Sequence, residues 1–218
     1  MKKDAKKRML QALIMLVLFG LWTAAVCMLD VQAIGPRASC VGLAGLNGAV
    51  HEITGVHMAL YHITDWLGLV PVGVAFSFGV LGLVQWIKRK KLARVDAGIL
   101  VLGGFYLVLL AAYLLFEKYP VNYRPVLIDG FLEASYPSST TLLVLCVMPT
   151  AMLQWNQRIK HPGGKRLMGA ILSLFTVFMV LGRLLAGVHW FSDIVGGVLL
   201  SAGLVMMYDA AMKYFTKQ

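Results

Sequence analysis

Six apolar runs, most of them close to the roughly 20 residues a membrane-crossing helix needs, leave this chain few folds to choose from. They lie at about Met9–Met28, Leu67–Ile87, Ala97–Phe116, Ser139–Trp155, Leu167–Gly182 and Trp190–Phe215, the fourth being short. A soluble chain of 218 residues that is 59% hydrophobic could not hide so much apolar surface. The expected fold is therefore all-α: a polytopic membrane protein with six transmembrane helices, forming a single domain over residues 1–218. The first run is too long for the apolar region of a signal peptide, and no small-residue cleavage site follows it, so it is expected to stay as a span.

Basic residues set the expected orientation. Of the 20 lysines and arginines, 16 fall in the N-terminal segment, the Lys88–Arg94 and Arg158–Arg166 loops and the tail with Lys213 and Lys217. Only Arg37, Lys118, Arg124 and Arg183 fall on the other side. The positive-inside rule then puts both termini in the cytoplasm, which requires an even number of spans. The basic residues are scattered over short loops, not gathered in one patch, so nucleic acid is not an expected partner. Cys27, Cys40 and Cys146 have no metal-ligand spacing, and thiol spacing alone does not pair Cys27 with Cys40. Trp66, Trp86, Trp155 and Trp190 sit near span ends, as an aromatic belt would. The outer segment Leu29–Asp65, with His51, His57 and His62, reads either as an interfacial helix or as a cap.

The residues with chemistry are few and sit at outer span ends. His189 and Asp193 are four residues apart, so on a helix they share a face and the carboxylate can hold one ring nitrogen while leaving the other free. Arg124 and Arg183 carry forked donors suited to phosphate oxygens. Between them, ASYPSSTT leads into the fourth span, and a helix N-terminus with free N–H groups and hydroxyls favours an anion. Alone, Arg183, His189 and Asp193 would suit a structural ion pair at a span end. With Arg124-Pro125 and the Pro137-Ser138 turn in order before them, they point to one phosphate.

That order resembles the type 2 phosphatidic acid phosphatase superfamily, which includes vanadium haloperoxidases. The resemblance covers Glu117–Asp193 directly, and its most specific element is Arg183-x5-His189-x3-Asp193. It implies a cofactor-free and metal-free lipid phosphatase, with His189 as the nucleophile that becomes phosphorylated and Asp193 as its orienting partner. It implies phosphate binding by Arg124, Arg183, Ser138 and Ser139, with Lys118 a further phosphate-binding candidate. The apolar runs and the charge count give a multi-pass cell-membrane location with the site extracytoplasmic, and the short loops suit a bacterial plasma membrane.

Three departures stand out. The first-motif lysine position is Glu117, with Lys118 one residue out of register. The third motif begins Gly182-Arg183 where Ser-Arg is usual. The second motif has Thr140 where the family places the histidine that protonates the leaving group. A general acid is worth about 10²–10⁴ in rate. A lipid alkoxide leaves badly without one, whereas a phosphate, with a second pKa of about 6, leaves readily. The expectation is a preference for a polyprenyl pyrophosphate over a phosphate monoester, unless Glu133, Asp129 or an outer histidine replaces the acid. The alternative, a weak or silent relative that binds lipid phosphates as a scaffold or carrier, has no need of His189 and Asp193. A transporter would need charge in mid-span, where there is almost none.

Overall fold

The computed structural model describes residues 2–216; Lys217 of the basic tail lies outside the described residues. Among the described residues eight α-helices follow one another: α1 Lys2–Met28, α2 Ala44–Thr54, α3 Met58–Leu67, α4 Leu69–Arg89, α5 Ala97–Lys118, α6 Ser139–Arg158, α7 Pro162–Leu185 and α8 Phe191–Phe215. Where no water reaches the backbone, every N–H and C=O must find its partner inside the segment, and a helix does that.

Among the described residues, five stretches are helices long and apolar enough to cross a membrane: α1, α3 running into α4, α5, α7 and α8. The run at α6 differs from its neighbours. It carries Thr140, Thr141, Thr150, Gln154, Asn156, Gln157 and Arg158, which lower its hydropathy. Other helices pack against it, and Thr141, Thr150 and Gln154 are buried among them. Gln154 Nε2 donates to Gly98 O at 3.1 Å, and Thr150 Oγ1 donates to Cys146 O at 2.8 Å. The same helix supplies the centre of the core through Leu142, Val144, Cys146, Val147 and Met148. Cys146 is thus a small apolar filler, while Cys27 and Cys40 are free and exposed.

α1 lies antiparallel along α8. Arg8 Nε meets Asp209 Oδ2 at 3.1 Å near one end, and Trp22 Nε1 donates to Ser192 O at 3.0 Å near the other. Both described termini therefore share an end of the bundle with Arg89, Asp96 and Arg158, which form a charged cluster (Arg89 Nη1 to Asp96 Oδ1, 2.9 Å; Arg158 Nη2 to Asp96 Oδ2, 3.9 Å). Gly196 lets α8 approach the loop before α6: a Cβ there would lie 2.6 Å from the Tyr136 ring.

The opposite end is capped. The outer segment left open by its sequence forms α2 and α3, and it docks on the α7–α8 turn: His57 N donates to Ala186 O at 3.0 Å. Gly187 has φ +67°, and a Cβ there would lie 1.8 Å from Gly55 O, so this approach requires glycine. Beside the cap, residues 122–135 form a hairpin. Arg124 N donates to Glu133 O at 3.0 Å and Ser135 N to Asn122 O at 2.9 Å. Arg37 holds the hairpin tip by donating from Nη2 to Gly130 O at 3.0 Å.

Candidate active site

The capped end gathers side chains from α3, the hairpin, α6, α7 and α8. His189 sits in the turn between α7 and α8, and Asp193 in the first turn of α8, where a carboxylate is favoured by the helix dipole. Asp193 Oδ2 accepts from Trp190 N at 2.9 Å, which caps the helix and fixes the carboxylate.

The two residues do not bond directly. Nδ1 of His189 is 3.9 Å from Asp193 Oδ2, and Ser135 lies between them. Ser135 Oγ is 3.0 Å from Nδ1 and donates a short hydrogen bond to Asp193 Oδ2. With its proton given to the carboxylate, Ser135 accepts from Nδ1–H. That fixes the tautomer with an unprotonated Nε2. Asn122 Nδ2 steadies the other carboxylate oxygen at 3.3 Å. His189 is 3% exposed, and its Nε2 is buried with no hydrogen-bond partner. Burial first, then the charges of Arg124 and Arg183, push the His189 pKa well below its ordinary 6.5, so the ring is neutral.

Two buried guanidiniums face this ring electrostatically. Arg183 in the last turn of α7 is 1% exposed. Its Nη2 donates to Thr140 Oγ1 at 2.7 Å and to Asp65 Oδ1 at 3.2 Å, and its Nη1 to Thr64 Oγ1 at 3.3 Å. Arg124 is 8% exposed, and its Nε lies 3.0 Å from Glu133 Oε2 without hydrogen-bond alignment. Tyr61 lies against both, with its ring centre 5.0 Å from the Arg183 guanidinium and 6.0 Å from that of Arg124. The cation–ring contact offsets part of the repulsion between the two charges. Arg124 Nε and Nη1 and Arg183 Nε remain buried without hydrogen-bond partners. Buried orphan donors on two cations are costly, and a tetrahedral oxyanion would satisfy them.

Ser138 caps α6, its Oγ accepting from Thr141 N at 3.5 Å, and its own N–H donates to Asp193 O at 3.1 Å. This ties the Pro-Ser turn to α8 and sets Ser139 and Thr140 at the free N-terminus of α6. Thr140, at the position of the missing acid, is engaged with Arg183. Of the suggested replacements for that acid, Glu133 is paired with Arg124, and His57 Nε2 is 2.9 Å from Thr54 O. Lys118 is exposed at the end of α5, with its ammonium 5.6 Å from the centre of the Tyr119 ring. Arg37 serves the hairpin and not the guanidinium pair.

Trp190 corrects the aromatic-belt expectation. It is 3% exposed, donates from Nε1 to Tyr123 O at 2.7 Å and meets the His51 ring. A tryptophan one residue after the buried His189 is held by the cap and the hairpin, so it has no lipid headgroup to face. Trp66, by contrast, is 74% exposed. The sequence reading also missed Tyr61, Thr64, Asp65, Asn122 and Ser135. Only Ser135, beside the Pro-Ser turn and at hydroxyl reach of it, carried any local signal.

The sequence model described as the PAP2 superfamily matches residues 105–217, about half of the chain and including every motif residue from Arg124 to Asp193. Among solved structures, the chain is similar to the first transmembrane PAP2-type phosphatidylglycerolphosphate phosphatase from Bacillus subtilis. The TM-score is 0.53 at 18% identity, over 92% of this chain and 94% of that one. Among curated proteins, none matches.

Proposed function

Given that this chain belongs to the PAP2 superfamily of phosphatases, we propose that it hydrolyses a lipid pyrophosphate in preference to a lipid phosphate monoester, through a phosphorylated His189. One observation carries the reading: the neutral, unpartnered Nε2 of His189 is buried within the field of two arginines that retain unfilled donors.

The terminal phosphoryl group takes up the free donors of Arg124 and Arg183 and the N–H groups opening α6. Nε2 attacks its phosphorus, and the bond to the bridging oxygen breaks. The lipid monophosphate leaves with the bond electrons. As positive charge develops on the ring, Nδ1–H strengthens its bond to Ser135, which passes the polarisation to Asp193. Water then attacks the phosphorus and breaks the P–N bond, so that inorganic phosphate leaves and His189 returns to neutral. The fixed cations stabilise the charge of both transition states. Thr140 cannot protonate an alkoxide at neutral pH, so the reaction relies on a leaving group that needs no proton.

All six apolar runs cross the membrane in this reading. The enclosed α6 spans within the bundle, both termini are cytoplasmic, and the site faces the extracytoplasmic side. A silent carrier would keep the arginines but has no use for the His189–Ser135–Asp193 chain.

The test is phosphate release by the purified protein with EDTA present, using a polyprenyl pyrophosphate and a phosphatidic acid, with His189→Ala beside it. Release from the pyrophosphate at least about 100-fold faster, surviving EDTA and lost in the variant, is expected. Equal rates on the two substrates would overturn the leaving-group argument. Lipid phosphate binding with no release would favour the carrier.

A further inference from the structure

A cavity in the side of the bundle reaches the groups beside the phosphate site. A cavity of about 630 Å³ lies between α4 and α5, and its polar end is formed by Asp65, Ser139 and Thr140. Asp65 and Thr140 are two of the groups that hold Arg183, so the polar end of this cavity lies one contact away from the guanidinium. Away from that end it is apolar, lined by Val72, Phe76 and Leu110 among others. A second apolar cavity, of about 430 Å³, continues between the same helices past Gly79, Gly82 and Gly103 to Trp86. Ala75 and Tyr106 line both, so the two form one groove.

We propose that this groove holds the hydrocarbon chain of the substrate, and that its length selects a chain reaching beyond the bilayer midplane. From Gly68 to Trp86, α4 rises about 27 Å at 1.5 Å per residue. The hydrocarbon core of a bilayer is about 30 Å thick, and the tail of an ordinary phospholipid fills only its own leaflet, about half of that. A tail of that kind would leave the second cavity unused. A long polyprenyl chain would fill both. The far cavity owes its width to glycine: a Cβ added at Gly79 or at Gly103 meets nothing within 4 Å. Helix faces bare of side chains usually admit a neighbouring helix, yet this one ends at Ser139 and at two groups that hold Arg183, and so favours a molecule that has a phosphate at one end. The inference rests on the lipid-phosphatase reading for its head group, and on the groove for its chain.

The test fills the far cavity. Gly79→Leu and Gly103→Leu place a side chain in open space, and leucine is the better helix former, so both variants fold. The kcat/KM ratio of a long polyprenyl pyrophosphate to farnesyl pyrophosphate is measured for each variant and for the wild type. A fall of at least about tenfold in that ratio is expected; an unchanged ratio would overturn the proposal. A second readout needs no turnover. A long prenyl phosphate with a photoreactive group at its far end is crosslinked to the wild-type protein in vesicles. Label within Gly79–Gly103 supports the groove, and label confined to other segments overturns it. Absent phosphate release alongside label in the groove would count against the phosphatase reading alone.

Discussion

The Ser135 hydroxyl lies 3.0 Å from Nδ1 of His189, in the place where a carboxylate would be expected to hold the ring. Asp193 acts one step further away, through that hydroxyl. The consequence is that Ser135→Ala removes both the acceptor of Nδ1–H and a donor to a buried carboxylate. An unsatisfied buried polar group costs about 1–3 kcal/mol, and the ring loses its fixed tautomer. The expected result is a fall in kcat of about 10- to 100-fold with KM nearly unchanged, since no phosphate contact is touched. Initial-rate kinetics separate the two; an unchanged kcat would mean that Asp193 orients the ring without help.

Asp65 occupies Arg183 from the solvent side, with Nη2 3.2 Å from Oδ1 and the carboxylate side chain 55% exposed. An incoming phosphate competes with it for the same guanidinium. An ion pair this exposed is worth at most about 1 kcal/mol. Asp65→Asn is therefore expected to lower KM by about two- to fivefold and leave kcat unaltered. A fall in kcat instead would identify Asp65 as a proton carrier in the reaction.

The pH dependence follows from His189. Its folded pKa is depressed, by burial first and then by Arg124 and Arg183. The unfolded chain binds a proton near pH 6.5, while the folded one binds it only at lower pH. Below about pH 6.5 the unfolded state holds more protons, so stability falls as pH drops toward the folded pKa and levels off beneath it. Each unit of pH in that window costs up to about 1.4 kcal/mol. Thermal unfolding in detergent between pH 7.5 and 5 is expected to show a decline that is shallower in His189→Gln. Parallel curves for the two proteins would contradict the depressed pKa.

Much of the candidate site is legible in the sequence, for identifiable reasons. Arg183, His189 and Asp193 are close in sequence, and charged groups in an apolar stretch are costly enough to demand a purpose. Arg124 and Ser138 were found by order. Tyr61, Thr64 and Asp65 were not, because α3 meets Arg183 only through folding, more than a hundred residues away along the chain. Trp190 was misread because a span-end position describes lipid depth, not what a cap later covers. The run at α6 looked short because a helix surrounded by helices needs no uniform apolar surface, and its Gln154 and Thr150 report that enclosure. The outer segment was left open because α2 and α3 are only 11 and 10 residues long and take their partners from the distant α7–α8 turn and α8.

The most direct probe of specificity is Thr140 itself. Its hydroxyl accepts from Arg183 Nη2 at 2.7 Å, so it positions a phosphate-binding cation but has no proton to lose at neutral pH. Thr140→His would put a titratable ring at the mouth of the lipid groove, beside Ser139 and Asp65. A neutral ring nitrogen can still accept from Arg183, while the protonated ring can give its proton to a departing alkoxide. General acids contribute about 10²–10⁴, and an unoptimised one less. The expected result is a rise of at least about tenfold in phosphate monoester hydrolysis, with pyrophosphate hydrolysis changed little. The gain should appear on the acidic side of neutrality, where the new ring is protonated, and phosphate release from both substrates across that range measures it. An equal gain on the two substrates would show that leaving-group protonation does not set the preference. A loss on both would show that the Thr140–Arg183 bond matters more for placing the phosphate than the acid does for releasing the lipid.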